Sequence, residues 1–332
     1  MTEKFDKYSY TITHIHKNES YGFLITLAFD SGPEERSVLK MPESFGPLAG
    51  FEKCISIVDV ESTGANWSRT EGELVIEHSA FQPVKVTYEI KNFPLSGRSE
   101  GHSKIMSLFY PRIYKSQFLA LGNSLFLYPK TDKPIEVTLD FGQTSGFKEN
   151  VYSSFGNRHF INLISKRSGD LLDSLFFGST TDHPEKLIDK SGNVDYIIQQ
   201  GRIQLDDEVV RQNTIRILAG LRAFWGEDTA PPFLVYLSFD PLTSDEEKVF
   251  SYHLGSALRN ALTIYASPNI ALSDLQKLLY HEMMHCWIGI KLRATDKDEE
   301  DFKLLWFTEG FTEYFAYKAM LRDSVILAEE YQ

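Results

Sequence analysis

The chain has 332 residues, 42% hydrophobic and 24% charged, an ordinary globular composition with room for about two domains and real cores. A formal net charge of −12 argues against a nucleic-acid partner or an anionic membrane surface, since either needs a basic face. No apolar run approaches the ~18 residues of a membrane span, and the opening MTEKFDKYSY lacks a signal peptide's basic and apolar segments.

The first half of the sequence reads as β structure. YSYTITHIH, YGFLITLAF, SVLKM, CISIVDV, ELVIEH, VKVTYEI, SLFLYP and IEVTLDF follow one another with turn residues between them, several with alternating polarity. Short strands at this spacing predict an all-β domain, a sandwich or a strongly twisted sheet, over residues 1–170. From about residue 205 the apolar period becomes helical. DDEVVRQNTIRILAGLRAFWG predicts a helix with Val209, Ile215, Leu218 and Leu221 near one face. FLVYLSF (233–239) reads as a buried strand, the stretch after Ser244 as a capped helix, and NALTIYASP (260–268) as a strand. ALSDLQKLLYHEMMHCWIGI predicts a further helix, with Ser273 and Gln276 as a capping box. Residues 171–332 are therefore expected to form a second, mixed domain.

Cys54 and Cys286 read as buried free thiols, compatible with a reducing cytosol. The expected location is cytoplasmic, with periplasm or secretion as the alternative if a leader has been removed.

The chemistry concentrates in HEMMH. His281 and His285 stand four apart on a predicted helix, so they share a face and can reach one ion. Glu282 lies one position round, placed to act as a base on a metal-bound water rather than as a ligand. A third ligand is required. The metzincin pattern would need a glycine at 288 and a histidine at 291, where this chain has Ile288 and Lys291. Downstream, LLWFTEGFTEYFAYKAML predicts a second helix, and Glu309 in its first part completes a two-histidine, one-carboxylate set for Zn2+. The acidic stretch TDKDEED (295–301) reads instead as a solvated loop, a poor support for a rigid site. Glu313, one turn past Glu309, is placed either to orient an imidazole from behind or to face solvent. G-x-G-x-x-G, P-loop and CxxC patterns are absent from the sequence.

HEMMHCW followed by WFTEGFTEY resembles the glycyl aminopeptidase family of the gluzincin metallopeptidases. The resemblance implies an α+β chain: an N-terminal β domain followed by a thermolysin-like catalytic domain, here incomplete at its C-terminus. It implies a Zn2+ enzyme that hydrolyses peptides, with His281, His285 and Glu309 as ligands and Glu282 as catalytic base. The segment GSALRNALTIY (255–265) resembles the GAMEN-x-GL-x-TY segment of the related aminopeptidase N family, whose glutamate binds the substrate's amino group. Leu258 stands at that glutamate's position and Arg259 at the asparagine's, and neither neutralises an ammonium group. Arg259 is either a substrate-binding group for a carbonyl or carboxylate, or a structural residue. The alternative function is a weakly active or inactive gluzincin-fold protein that binds peptides as a scaffold.

Overall fold

The computed structural model describes residues 5–331 except 18, 43, 46–47, 71, 93–108, 145, 148–149, 182–183, 189–191, 228, 240–251 and 293–303. The expected acidic loop at 295–301 and the helix start at Ser244 lie outside the described residues. The chain divides into two compact units, Met1–His183 and Pro184–Gln332. The first is all β apart from short helical turns, and the second mixes helices with one sheet.

The N-terminal unit is built on a six-stranded sheet. Its strands are β1 (Asp6–Lys17), β2 (Ser20–Asp30), β3 (Ile55–Glu61), β4 (Pro83–Lys91), β6 (Ile135–Gln143) and β8 (Phe160–Ser165). They lie in the order β8-β6-β1-β2-β4-β3. The β1–β6 pairing is parallel and the other neighbours are antiparallel. Alternation puts Tyr10 and Ile12 of β1, Phe23 and Ile25 of β2, and Val86 and Tyr88 of β4 into one core. Leu39, Leu74 and Ile76 come from a smaller sheet to join them. So do Phe118 and Phe176, carried by β5 (Gln117–Leu121) and β9 (Leu175–Ser179).

Two expectations need correction here. SLFLYP is only briefly extended: Gly122–Leu125 is a helical turn, with the Ser124 hydroxyl donating back to the Leu121 carbonyl at 2.8 Å, and only Tyr128–Pro129 pairs as strand. The unit also runs past residue 170, because β9 pairs with β5 and with β7 (Val151–Ser153).

In the second unit β10 (Glu185–Ile188), β11 (Val194–Gly201), β12 (Phe233–Phe239), β13 (His253–Leu258) and β14 (Ala261–Ala266) form one sheet, ordered β10-β11-β12-β14-β13. The β11–β12 and β12–β14 pairs are parallel, and β13 folds back on β14 as an antiparallel edge. Among the described residues three long helices accompany the sheet: α1 (Asp207–Trp225), α2 (Leu272–Met284) and α3 (Leu305–Arg322). Val235, Leu237, Leu262 and Ile264 meet Leu218, Leu221, Leu275, Leu279, Met283, Ala319 and Met320 in its core.

Asp206 caps α1 by accepting from the Glu208 and Val209 amides at 2.9 and 3.2 Å. Val210, Thr214, Ile217, Leu218 and Leu221 form the buried stripe of α1. Val209, expected inside, is 39% exposed because the face is set one residue further on. The capping box at Ser273 does not form. The N-cap of α2 is Ala271, without a side-chain cap, and Gln276 instead donates to Asn213 at 2.7 Å. Residues 253–258, placed within the expected helix after Ser244, are strand β13, whose register with β14 gives them a full set of partners.

Candidate metal centre

The site is assembled on α2 and α3, which pack against each other in one unit. Helix α2 ends sooner than its sequence pattern predicts, at Met284, with His285 as C-cap still in helical conformation. Gly289, at φ 99°, then turns the chain so that its amide reaches the Leu292 carbonyl at 2.9 Å. Leu279, Met283 and Met284 are buried, which anchors the helix and aims His281 and His285 along the adjoining, more open face.

The two Nε2 atoms face each other at 3.1 Å, and Glu309 Oε2 lies 3.5 Å from each. These are the three ligand-type side chains that cluster among the described residues. Donors about 2.0–2.1 Å from a tetrahedral zinc ion stand roughly 3.3–3.4 Å apart, so this triangle has the size the ion requires. The donor set fits: two imidazoles and one carboxylate, carried by two packed helices.

Electrostatics point the same way. Glu309, ahead of Glu313 and against the effect of burial, pushes His281 up to about 9. The two imidazoles hold Glu309 well below the usual carboxylate range. Such a pocket favours positive charge. Glu282 is half-buried, and burial raises its carboxyl above the ordinary range while the two imidazoles and the Ala257 amide pull it down. It rests against the edge strand β13. A Cβ on Gly255 would come within 2.4 Å of Glu282 Cγ, so only glycine allows this approach.

Behind the donors, His281 Nδ1 donates to Glu313 Oε2 at 2.8 Å. The orienting arrangement weighed for Glu313 is therefore the one observed. Thr312 Oγ1 lies 3.1 Å from His285 Nδ1, a contact that sequence reasoning missed. The signal was available, because Thr312 stands three residues after Glu309 on the same helical face.

The remaining residues singled out above are spread differently. Leu258 is fully buried at the end of β13, its carbonyl accepting from the Cys286 thiol at 3.9 Å. Arg259 sits in the tight turn to β14, next to Asn260 at φ 47°. Neither is brought to the triangle by any described contact. Tyr280, the residue before His281, is buried and commits its hydroxyl to Asp323 at 2.7 Å.

With this geometry in hand, comparison with known proteins is informative. Residues 274–332 match the M61 glycyl aminopeptidase family. The M61 match takes in α3 and nearly all of α2, and with them every member of the triangle. Comparison with curated proteins gave no match. Among solved structures, an aminopeptidase N family protein from Idiomarina loihiensis superposes with a TM-score of 0.70 at 18% identity, over 98% of this chain. The chain spans only 56% of that protein's length. An M1 zinc metallopeptidase from Deinococcus radiodurans gives 0.54 at 13% identity, covering 97% of this chain and 71% of its own. Legionella pneumophila aminopeptidase A, solved in complex with aspartic acid, gives 0.57 at 12% identity, covering 98% of this chain and 39% of its own. The shared fold is an N-terminal β domain followed by a mixed unit of helices and one sheet, the α+β order that the sequence led us to expect. Among the described residues no helix is long and apolar enough to cross a membrane.

Proposed function

We propose that the protein is a zinc-dependent metallopeptidase of the gluzincin type. The observation that carries this reading is the triangle of His281 Nε2, His285 Nε2 and Glu309 Oε2, with separations of 3.1–3.5 Å. Those three side chains would hold the ion, which when bound acidifies water and polarises a substrate carbonyl. Glu282, fixed against β13 by Gly255 and the Ala257 amide, takes the proton of the attacking water and passes it to the leaving amine. Its raised affinity for a proton suits that relay. Among the described residues β13 is an edge strand, and beside Glu282 it offers backbone groups to an extended peptide.

The peptide need not present a free amino group. No carboxylate occurs in 255–265, and the position that resembles the amine-binding glutamate is the buried Leu258. This reading departs from strict aminopeptidase action while keeping the peptidase chemistry. The Idiomarina and Deinococcus neighbours support the chemistry by fold, and one Deinococcus structure was solved with the peptide Tyr-Ser-Ala bound.

The test is a matched pair of assays on zinc-loaded protein. Wild type should cleave free and N-acetylated peptides at comparable rates. Glu282→Gln should bind one zinc yet lose about 100-fold or more of the rate. Absence of zinc uptake, or full activity in Glu282→Gln, refutes the mechanism. An absolute requirement for the free amine refutes the specificity.

A further inference from the structure

Helix α3 presents Glu309, Thr312 and Glu313 on one face, at the i, i+3 and i+4 positions of adjoining turns. Each meets a different atom of the imidazole pair. Glu309 faces both Nε2 atoms, Glu313 accepts from His281 Nδ1, and Thr312 lies at His285 Nδ1. The Ile288 carbonyl approaches the same His285 Nδ1 at 3.4 Å. A carbonyl only accepts, so that nitrogen carries the hydrogen, and Nε2 keeps its lone pair for the triangle.

The Thr312 side chain is fully buried. A buried threonine within a helix usually satisfies its hydroxyl on the carbonyl one turn back, as Thr214 does with Val210 at 2.9 Å. Thr312 has no such bond among the described residues, and its oxygen is turned towards His285.

We propose that Thr312 is the positioning residue for His285, holding its ring rotation while the Ile288 carbonyl sets its tautomer, so that the two metal-site imidazoles are held by unlike acceptors. The inference rests on the zinc reading above. A carboxylate behind His281 makes that imidazole a stronger donor to a cation. A neutral hydroxyl behind His285 orients the ring without adding charge. A second carboxylate there would place a third anionic group around one ion, next to Glu309 and Glu313.

The experiment compares Thr312→Val, which keeps the branched shape and removes the hydroxyl, with Thr312→Ser, which keeps the hydroxyl. Zinc affinity is read by competition with a chromophoric chelator, and ligand geometry from the visible spectrum of cobalt(II)-substituted protein. Thr312→Val should bind zinc 10–100-fold more weakly and shift the cobalt bands, with thermal unfolding of the metal-free protein unchanged. Thr312→Ser should recover affinity to within about threefold of wild type, the residue being an oriented oxygen rather than a packing group. Wild-type affinity and an unshifted cobalt spectrum in Thr312→Val would overturn the proposal, as would a serine variant as weak as the valine one. If the valine variant does not fold, proton–nitrogen correlation spectra of zinc-loaded wild type decide: a His285 protonated at Nε2 overturns the assignment. Failure of wild type to take up zinc overturns the metal-site reading and this role together, whereas zinc uptake with unaltered affinity in Thr312→Val removes this role alone.

Discussion

Glu309 Oε2 stands at the same distance, 3.5 Å, from the Nε2 atoms of His281 and His285. Its side chain is 52% exposed and carries little of the packing. Glu309→Ala should therefore cost the metal-free fold about 1 kcal/mol or less, the worth of a half-exposed ion pair with the two imidazoles. Zinc affinity should fall by about 100-fold or more, beyond the range seen for groups behind the ligands. Chelator competition together with urea unfolding of the metal-free protein measures both quantities.

A methyl group on Gly255 would strike Glu282 Cγ at 2.4 Å and Cδ at 2.7 Å. In Gly255→Ala either the carboxylate or the edge strand must shift. The ligand triangle does not include Glu282, so zinc binding should stay within about threefold of wild type, while a misplacement of the base by about 1 Å lowers kcat/KM on the order of 100-fold. Equal losses of zinc and rate would show that the strand positions the ligands instead.

In the second unit, Arg222 makes two hydrogen bonds to Asp195, at 2.7 and 2.8 Å, with both side chains nearly inaccessible. Asp195 Oδ1 also accepts from the Phe233 amide at 3.2 Å, so the pair fastens the end of α1 to β11 and to the start of β12. Asp195→Ala strands a buried guanidinium and should destabilise the protein by about 3–5 kcal/mol. Replacing both partners with apolar residues of similar volume should cost much less. Denaturant unfolding of the single and double variants checks the difference.

Cys54 and Cys286 are 1% and 5% exposed, and burial pushes both thiols up to about 12. Raised pKa values mean that the reactive thiolate is scarce below pH 12 and increases as pH rises. At pH 8 the native protein should react with a thiol reagent only at the rate of its own opening. In denaturant, two equivalents should react at once. A fast equivalent in the native state would contradict the buried placement.

The clustered histidines were legible because their spacing is local: HEMMH puts two imidazoles and a carboxylate within about one turn, and no distant information is needed to read it. Glu309 was legible as the carboxylate of a helix, in preference to the acidic stretch at 295–301. What could not be read was anything that depends on three-dimensional neighbours. The absent cap at Ser273 reflects a helix that starts two residues earlier, with Ala271 as N-cap, and uses Gln276 to reach α1. The shifted stripe of α1 puts Thr214 and Arg222 inside, where Thr214 bonds to Val210 and Arg222 to Asp195. Polar residues with such partners carry no apolar signal. The sequence of strand β13 reads as helix because an edge strand flanked by a tight turn shows weak alternation, and HLGSAL has little.

The pairing of β9 with β5 and β7 has a practical meaning. A proteolytic cut or gene fusion that divides the polypeptide at residue 170 would strip LFFGS from its neighbours, leaving two hydrophobic strands with bare hydrogen-bonding edges and a fragment prone to clump. The severable joint lies beyond Ser179, where the last ladder of the first half is complete.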